Sequence, residues 1–153
     1  MPTNNVLRWY PSLARMVVGG YWLYFAYQKW PPHGVDWMRG LMQSNPAHEP
    51  IPGLQQILQY LVAPNWHFFA VSQAVAETAV AALLLLGLAT RVAALAGTLL
   101  AAELALTVAF GVTDTGFQWM YYLAVIVNAQ VFVAGGGPFA LERLLRRPQP
   151  APS

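Results

Sequence analysis

The sequence predicts an all-α membrane protein: a four-helix transmembrane bundle with a partly helical extracytoplasmic loop. Hydrophobic residues make up 57% of the 153 residues and charged residues only 9%, whereas a soluble domain has roughly 25% charged residues. The apolar residues gather in runs close to the roughly 20 residues that a helix needs to cross a bilayer. The runs lack the alternation of barrel strands, so helices are the spanning structure that satisfies their backbone hydrogen bonds.

Glycine, proline and polar residues separate the runs and mark where each helix begins and ends. Asn65 and Thr90 precede apolar runs and are predicted N-caps. The last residues, rich in proline, are expected to be disordered. We therefore predict spans at residues 13–30, 66–88, 92–111 and 117–134, an outer cap at 31–65, one membrane domain over 1–147, and a disordered tail at 148–153.

The stretch at residues 31–65 is too long for a structureless connection in a compact domain. Apolar residues between Leu54 and Val62 recur every three or four positions, which predicts a short amphipathic helix. A similar pattern between Val35 and Met42 predicts another. We expect both helices to lie on the outer membrane surface and to cover the bundle.

The distribution of basic residues between the loops predicts the orientation. With the N-terminus inside, the outer side carries only Lys29 and Arg39. This asymmetry favours cytoplasmic N- and C-termini by the positive-inside rule. The inner side then carries Arg8, Arg15, Arg91, Arg143, Arg146 and Arg147.

Two glutamates near the centres of predicted spans are the candidate catalytic residues. A carboxyl at this depth costs about 3 kcal/mol or more to insert and is by default a functional-site hypothesis. Gln73 shares a helix face with Glu77, and Thr107 shares one with Glu103. We expect Glu77 to face the interior in its protonated form, and both carboxyls to handle protons. The alternative is that each carboxyl only fixes helix packing through hydrogen bonds.

Further polar residues are candidates for binding a quinone or a substrate: Gln73, Gln28, Lys29, Arg39 and Asn128. Lys29 either snorkels to the interface or attracts an anion or a quinone head group. Asn128 either bonds between helices or faces the same pocket as the carboxyls. Small residues such as Gly97 and Ala101, four positions apart, permit close helix packing.

Several classes of chemistry and partner are not expected from this sequence. The chain has no cysteine, which excludes disulfides, thiol relays and cysteine-ligated clusters. His33, Asp36, His48 and Glu49 match no ligand spacing, so we predict no metal site. No motif indicates a bound cofactor. The net charge of +2 comes without a basic block, so we expect no nucleic-acid partner.

Three segments, taken together, resemble the DoxX-type membrane proteins. Arg15 and Gly19 followed by Gln28-Lys29 resemble the first helix of that family. Glu77 and the turn at residues 87–94 resemble its second-helix glutamate and Gly-Leu-x-Thr-Arg turn. The stretch at 135–142 resembles its glycine-rich segment, with Ala140 and Glu142 where the family usually has Ser and Asp. The long loop is closest to the DoxD-like branch, the small subunit of thiosulfate:quinone oxidoreductase.

The resemblance implies a quinone-linked oxidoreductase subunit in a bacterial or archaeal cytoplasmic membrane. It would contact the lipid bilayer and work beside other membrane or membrane-attached redox subunits. Its implied reaction is oxidation of thiosulfate or a similar small anion, with quinone as the electron acceptor. The alternative is a non-catalytic accessory subunit packed against a larger respiratory or photosynthetic complex.

Overall fold

The computed structural model describes residues 5–145, which form long helices joined by short helical turns. Arg146, Arg147 and the predicted tail at 148–153 lie outside these residues. Turns of 3₁₀ helix occupy Asn45–His48 and Ala109–Gly111, and a π-helical turn occupies Leu58–Val62. The α-helices are α1 (Asn5–Tyr27), α2 (Met38–Ser44), α3 (Pro52–Ile57), α4 (Trp66–Leu86), α5 (Thr90–Thr107), α6 (Thr115–Ala134) and α7 (Leu141–Leu145).

Within the described part of the chain, three helices are long and apolar enough to cross a membrane. They are α4, α5 with its 3₁₀ extension, and α6. These confirm the prediction of an all-α, multi-pass membrane protein. Helix α1 has 23 residues but carries Arg8, Pro11 and Arg15 in its first half, and it is not among the three.

The long helices pack as two antiparallel pairs, α1 with α4 and α5 with α6. Small residues on α5 allow the second pair to approach closely, as the spacing of Gly97 and Ala101 predicts. Both residues are buried. The two pairs meet around a core whose larger members are Val18, Trp22, Leu84 and Val131.

Helix α1 ends beside the middle of α4. A Cβ atom on Gly19 would lie 3.1 Å from the backbone nitrogen of Leu85, so these residues are level. Tyr27, the last residue of α1, is eight residues after Gly19, and Glu77 is eight residues before Leu85. Antiparallel helices with equal rise per residue therefore place Tyr27 level with Glu77, the twelfth of the 21 residues of α4.

This register determines where the residues of the outer cap pack. Since α1 stops half-way along α4, residues 31–62 occupy the space beyond its end. The short helices form as predicted, but α2 packs against α4, and Met38 and Leu58 are buried. Apolar residues of the cap therefore pack into the bundle beside α4, and the expected position of the cap on the membrane surface stays a prediction.

Asn65 occupies the predicted N-cap position of α4 but makes no side-chain cap bond, and the prediction of Thr90 as the N-cap of α5 is wrong. The Asn65 amide donates to the carbonyl of Leu61 at 2.8 Å and makes no cap bond to α4. Thr90 is already the first residue of α5, and its backbone N–H donates to the Glu142 carboxylate at 3.2 Å. A carboxylate distant in sequence therefore satisfies the start of α5.

The N-terminal half of α1, the end of α4 and the segment after α6 meet in what we call the inner cluster: Ser12, Arg15, Gly87, Gly136 and Glu142. Arg15, 2% exposed, donates from Nε to the carbonyl of Gly136 at 3.2 Å and from Nη1 to that of Leu85 at 2.8 Å. Its Nη1 also donates to Leu84. The guanidinium thus satisfies carbonyls at the C-terminus of α4, where a cation also complements the helix dipole.

Two glycines of the inner cluster have no room for a side chain. Gly87 has φ 69°, and a Cβ atom there would lie 2.7 Å from Cα of Ala140 and 2.9 Å from Cζ of Arg15. A Cβ atom on Gly136 would lie 2.7 Å from the Glu142 carboxylate. Glycine is required at both positions because backbone and side chains approach this closely.

Candidate functional site

A buried ion pair joins the end of α1 to the middle of α4. Lys29 Nζ lies 2.7 Å from Glu77 Oε2, and the two residues are 4% and 0% exposed. Glu77 belongs to the buried stripe of α4 that includes Ala74 and Ala81. It therefore points into the bundle, as its spacing predicts.

The Lys29 side chain is held from several sides. Its Nζ donates to the carbonyl of Phe25 at 3.4 Å, which is left free by the end of α1. The same atom lies 5.8 Å from the Phe25 ring centre and 5.9 Å from that of Trp37, within the range of cation–π attraction. Lys29 does not snorkel, because it extends inward to a carboxylate instead of outward to water.

Glu77 has a partner on each carboxylate oxygen. Gln73, one helical turn away, donates from Nε2 to Oε1 at 3.1 Å, and Lys29 donates to Oε2. The predicted pairing of Gln73 with Glu77 on one face is confirmed. The expectation of a protonated Glu77 did not include Lys29 as a partner, and the protonation state of this carboxyl stays a prediction.

The ion pair borders a cavity of about 100 Å³, which we call the outer cavity. Helices α4 and α5, the end of α1 and the cap all contribute to its wall. Trp37, Met38, Leu58 and Val62 form its cap side. Its polar lining residues are Lys29, Asn45, Gln73, Glu77, Glu103, Thr107 and Tyr121.

Glu103 lies on the same cavity but in a different environment. Its residue is exposed on the surface of the bundle, and Thr107 Oγ1 donates to its Oε1 at 3.3 Å. The shared face of Glu103 and Thr107 is confirmed. Among the hydrogen bonds of residues 5–145, none joins Glu103 to Glu77, so each carboxyl has its own partners.

A groove of about 390 Å³ runs along the outside of the bundle between α4 and α5, under the cap segment Pro52–Val62. We call it the lateral groove. Leu54, Ile57, Phe69 and Leu100 are among its apolar lining residues. It shares six lining residues with the outer cavity: Met42, Leu58, Val62, Gln73, Glu103 and Thr107.

The structure brings some predicted site residues to the outer cavity and leaves others elsewhere. Lys29, Gln73, Glu77 and Glu103 line it, whereas Gln28, Arg39 and Asn128 do not. Gln28 accepts a bond from Trp37 through its backbone carbonyl. Arg39 is exposed, with its guanidinium 5.7 Å from the ring centre of Trp66.

Asn128 follows the alternative of bonding between helices. It is fully buried, its Oδ1 accepts from Trp22 Nε1 at 3.0 Å, and its amide donates to the carbonyl of Ala124 at 2.7 Å. A Cβ atom on Gly97 would lie 2.3 Å from Asn128 Oδ1. The bond between α1 and α6 therefore depends on a glycine of α5.

The pairing of Lys29 with Glu77 and the position of Tyr121 in the cavity wall were not predicted from the sequence. One signal for the pair was present: Lys29 directly follows an apolar run that is otherwise free of charge from Met16 onward. The predicted span boundaries concealed this pairing, because a first span that ends at residue 30 places Lys29 at the membrane surface. Nothing in the spacing of α6 separated Tyr121 from its lipid-facing neighbours.

Comparison with protein families identifies a matching family model. The DoxX family model matches residues 10–110, which is 101 of the 153 residues. No curated protein and no solved structure matches the chain. The matched range contains Arg15 of the inner cluster together with Lys29, Glu77 and Glu103 of the outer cavity.

Proposed function

Because this chain belongs to the DoxX family, we propose that it is the membrane subunit of a quinone-linked oxidoreductase and binds a quinone head group in the outer cavity. The observation that carries the proposal is the Lys29–Glu77 ion pair on the wall of that cavity. A buried pair is weak evidence for stability, since apolar residues of similar volume often serve as well. A functional role would explain why the bundle contains an ion pair that is energetically costly to bury.

The polar lining of the cavity matches the chemistry of quinone reduction. A quinone carbonyl accepts a hydrogen bond, and after reduction the resulting hydroxyl donates one. Lys29 is a donor for the carbonyl, and Gln73 offers either role. Glu77 and Glu103 accept from a quinol hydroxyl and exchange its protons, which makes them the proton-handling residues of the proposal.

The electrons come from a partner in this proposal. Quinone takes up electrons and protons in pairs, and a chain without cysteine has no thiol couple of its own. A second membrane or membrane-attached redox subunit would oxidise the donor, thiosulfate or a similar small anion, and pass electrons to the bound quinone. We place anion oxidation on that partner, because Glu77 balances the charge of Lys29, whose remaining N–H still suits a neutral carbonyl, and Arg39 lies outside the cavity.

The accessory alternative also has an observation in its favour. Arg15 and Gly87, which carry part of the resemblance to the DoxX family, fix helix ends in the inner cluster together with Glu142. A subunit with a purely structural role needs this part of the molecule and has no need of the outer cavity. The two functions therefore differ in whether the cavity residues affect turnover.

The test replaces the ion pair with apolar residues of similar volume. We expect the Lys29→Met/Glu77→Met double variant to assemble normally and to lose quinone reduction. The assembly is extracted in a mild detergent, its composition is measured by native mass spectrometry, and reduction of decylubiquinone with thiosulfate and other donors is followed optically. An intact assembly with unchanged turnover would instead establish the accessory role.

The proposal includes an orientation with α1 as a fourth membrane-embedded helix, entering from the cytoplasm and ending at the middle of the bundle. Both termini are then cytoplasmic, consistent with the arginine asymmetry. Reporter domains fused after Arg91 and after Asp114 test this arrangement. We expect an inside signal from the first fusion and an outside signal from the second; reversed signals would refute it.

A further inference from the structure

The lateral groove has the wrong chemistry for a surface that meets only lipid chains. Its walls are apolar, with Phe69 and Ala76 on α4 and Leu100 on α5. Its lining, however, also includes Glu103, an ionisable residue of α5, one of the three helices long and apolar enough to cross a membrane. Lipid chains have no hydrogen bond to offer this group, and an ionisable residue in such a helix typically lines a ligand pathway.

The groove and the outer cavity are continuous in their lining. Gln73, Glu103 and Thr107 are common to both, so an occupant of the groove reaches the same polar groups as an occupant of the cavity. The cap side of the junction is built by Leu58 and Val62, the two ends of the π-helical turn. Turns of this kind occur frequently at functional sites.

We propose that the lateral groove holds the apolar tail of the ligand whose head occupies the outer cavity. This inference rests on the proposed quinone site and specifies the class of quinone: a long-tailed one dissolved in the membrane, entering between α4 and α5. The head reaches Gln73 and Glu103 at the junction. The tail lies along Phe69, Ala76 and Leu100 beneath the cap segment.

Ala76 is the position at which the groove is most simply filled. The Ala76→Phe variant places a ring where the tail lies and leaves the charged residues of the cavity unchanged. Ala82→Phe is the matched control, because Ala82 is exposed on the same helix and lines neither the cavity nor the groove. The substitutions are thus identical in chemistry and differ only in place.

The experiment measures binding to the full chain in lipid nanodiscs. The probes are decylubiquinone and the tail-less 2,3-dimethoxy-5-methylbenzoquinone, and the signal is quenching of tryptophan emission, to which Trp37 in the cavity wall contributes. We expect Ala76→Phe to weaken binding of the tailed probe by about tenfold or more. Binding of the tail-less probe should stay within about twofold, and Ala82→Phe should alter neither.

The outcomes separate this inference from the proposed function. Equal binding of the tailed probe to wild type and Ala76→Phe would overturn the tail assignment and leave the quinone site standing. An equal loss of both probes in Ala76→Phe would also overturn it, because the ring would then disturb the head site. If the wild type bound neither probe, the proposed function and this inference would both be wrong.

Discussion

The inner cluster and the outer cavity each bury one cation, Arg15 of α1 and Lys29 just after α1, and they differ in what that cation contacts. Arg15 donates to backbone carbonyls of Leu84, Leu85 and Gly136. Lys29 pairs with a side chain, Glu77, and faces free space. Backbone carbonyls are present in every helix, so Arg15 satisfies hydrogen bonds that the helix ends require. Lys29, in contrast, contacts a glutamate side chain that the fold does not require.

The two sites show how polar residues with a structural role can be distinguished from polar residues with a binding role in one bundle. In the inner cluster a glycine at 87 or 136 is required because neighbouring atoms leave no room for a Cβ atom. The outer cavity encloses about 100 Å³ of free space and carries polar groups on several of its walls. Close packing around satisfied backbone indicates architecture, while a partly open space with convergent polar groups indicates binding.

The sharpest test is whether a second substitution rescues the first. Lys29→Met leaves the Glu77 carboxylate buried without its cation, which should lower the free energy of unfolding by about 3–5 kcal/mol. Adding Glu77→Met should restore most of the loss. Unfolding in detergent measures both, with Arg39→Met as the exposed control; failure of the second substitution to rescue would show that the pair itself holds the fold.

Arg15 should behave in the opposite way. Arg15→Met leaves the carbonyls of the α4 C-terminus without donors and should cost on the order of 3 kcal/mol. No second side-chain substitution should rescue it, because its partners belong to the backbone. Arg8→Met, an exposed arginine on the same helix, is the matched control in the same unfolding measurement. A loss as small as that of the control would contradict the structural role of Arg15.

Gly97 tests the packing that lies between the two regions. A Cβ atom there would collide with Asn128 and come within 3.0 Å of Trp22 Nε1. We expect Gly97→Ala to disrupt the bond between these residues and to cost about 1–3 kcal/mol. Gly20→Ala on α1, where a Cβ atom meets nothing within 4 Å, should be neutral or slightly stabilising. Equal thermal stability of the two variants would refute this account.

Glu103 should show the smallest effect on stability and a clear effect on binding. It is exposed on the bundle, with Thr107 as its hydrogen-bonding side chain, so Glu103→Gln should change the free energy of unfolding by less than about 1 kcal/mol. Decylubiquinone affinity in nanodiscs should nevertheless fall. Gln130→Leu, an exposed polar substitution on α6, serves as the control, and unchanged affinity in Glu103→Gln would remove this residue from the site.

The class of the molecule and the approximate positions of most of its helices could be predicted from the sequence alone. Charge depletion and long apolar runs dictate membrane helices, since no other element hides its backbone in lipid. The spacing of Gln73 with Glu77 and of Glu103 with Thr107 placed each pair on one face, because that follows from the helical period alone. The glycine-rich breaks after α4 and α6 likewise follow from local backbone preference.

The pairing of the charged residues became visible in the tertiary structure and not in the sequence. The register of α1 against α4 depends on the close contact of Gly19 with Leu85, and that register brings Lys29 to Glu77 instead of to the membrane surface. The capping of α5 by Glu142 joins residues far apart in the chain, so no local pattern contained it. The cavity exists because α1 ends half-way along α4, and the cap residues cover the space beyond the end of α1 without filling it. These are properties of packed surfaces, which periodicity within one helix does not encode.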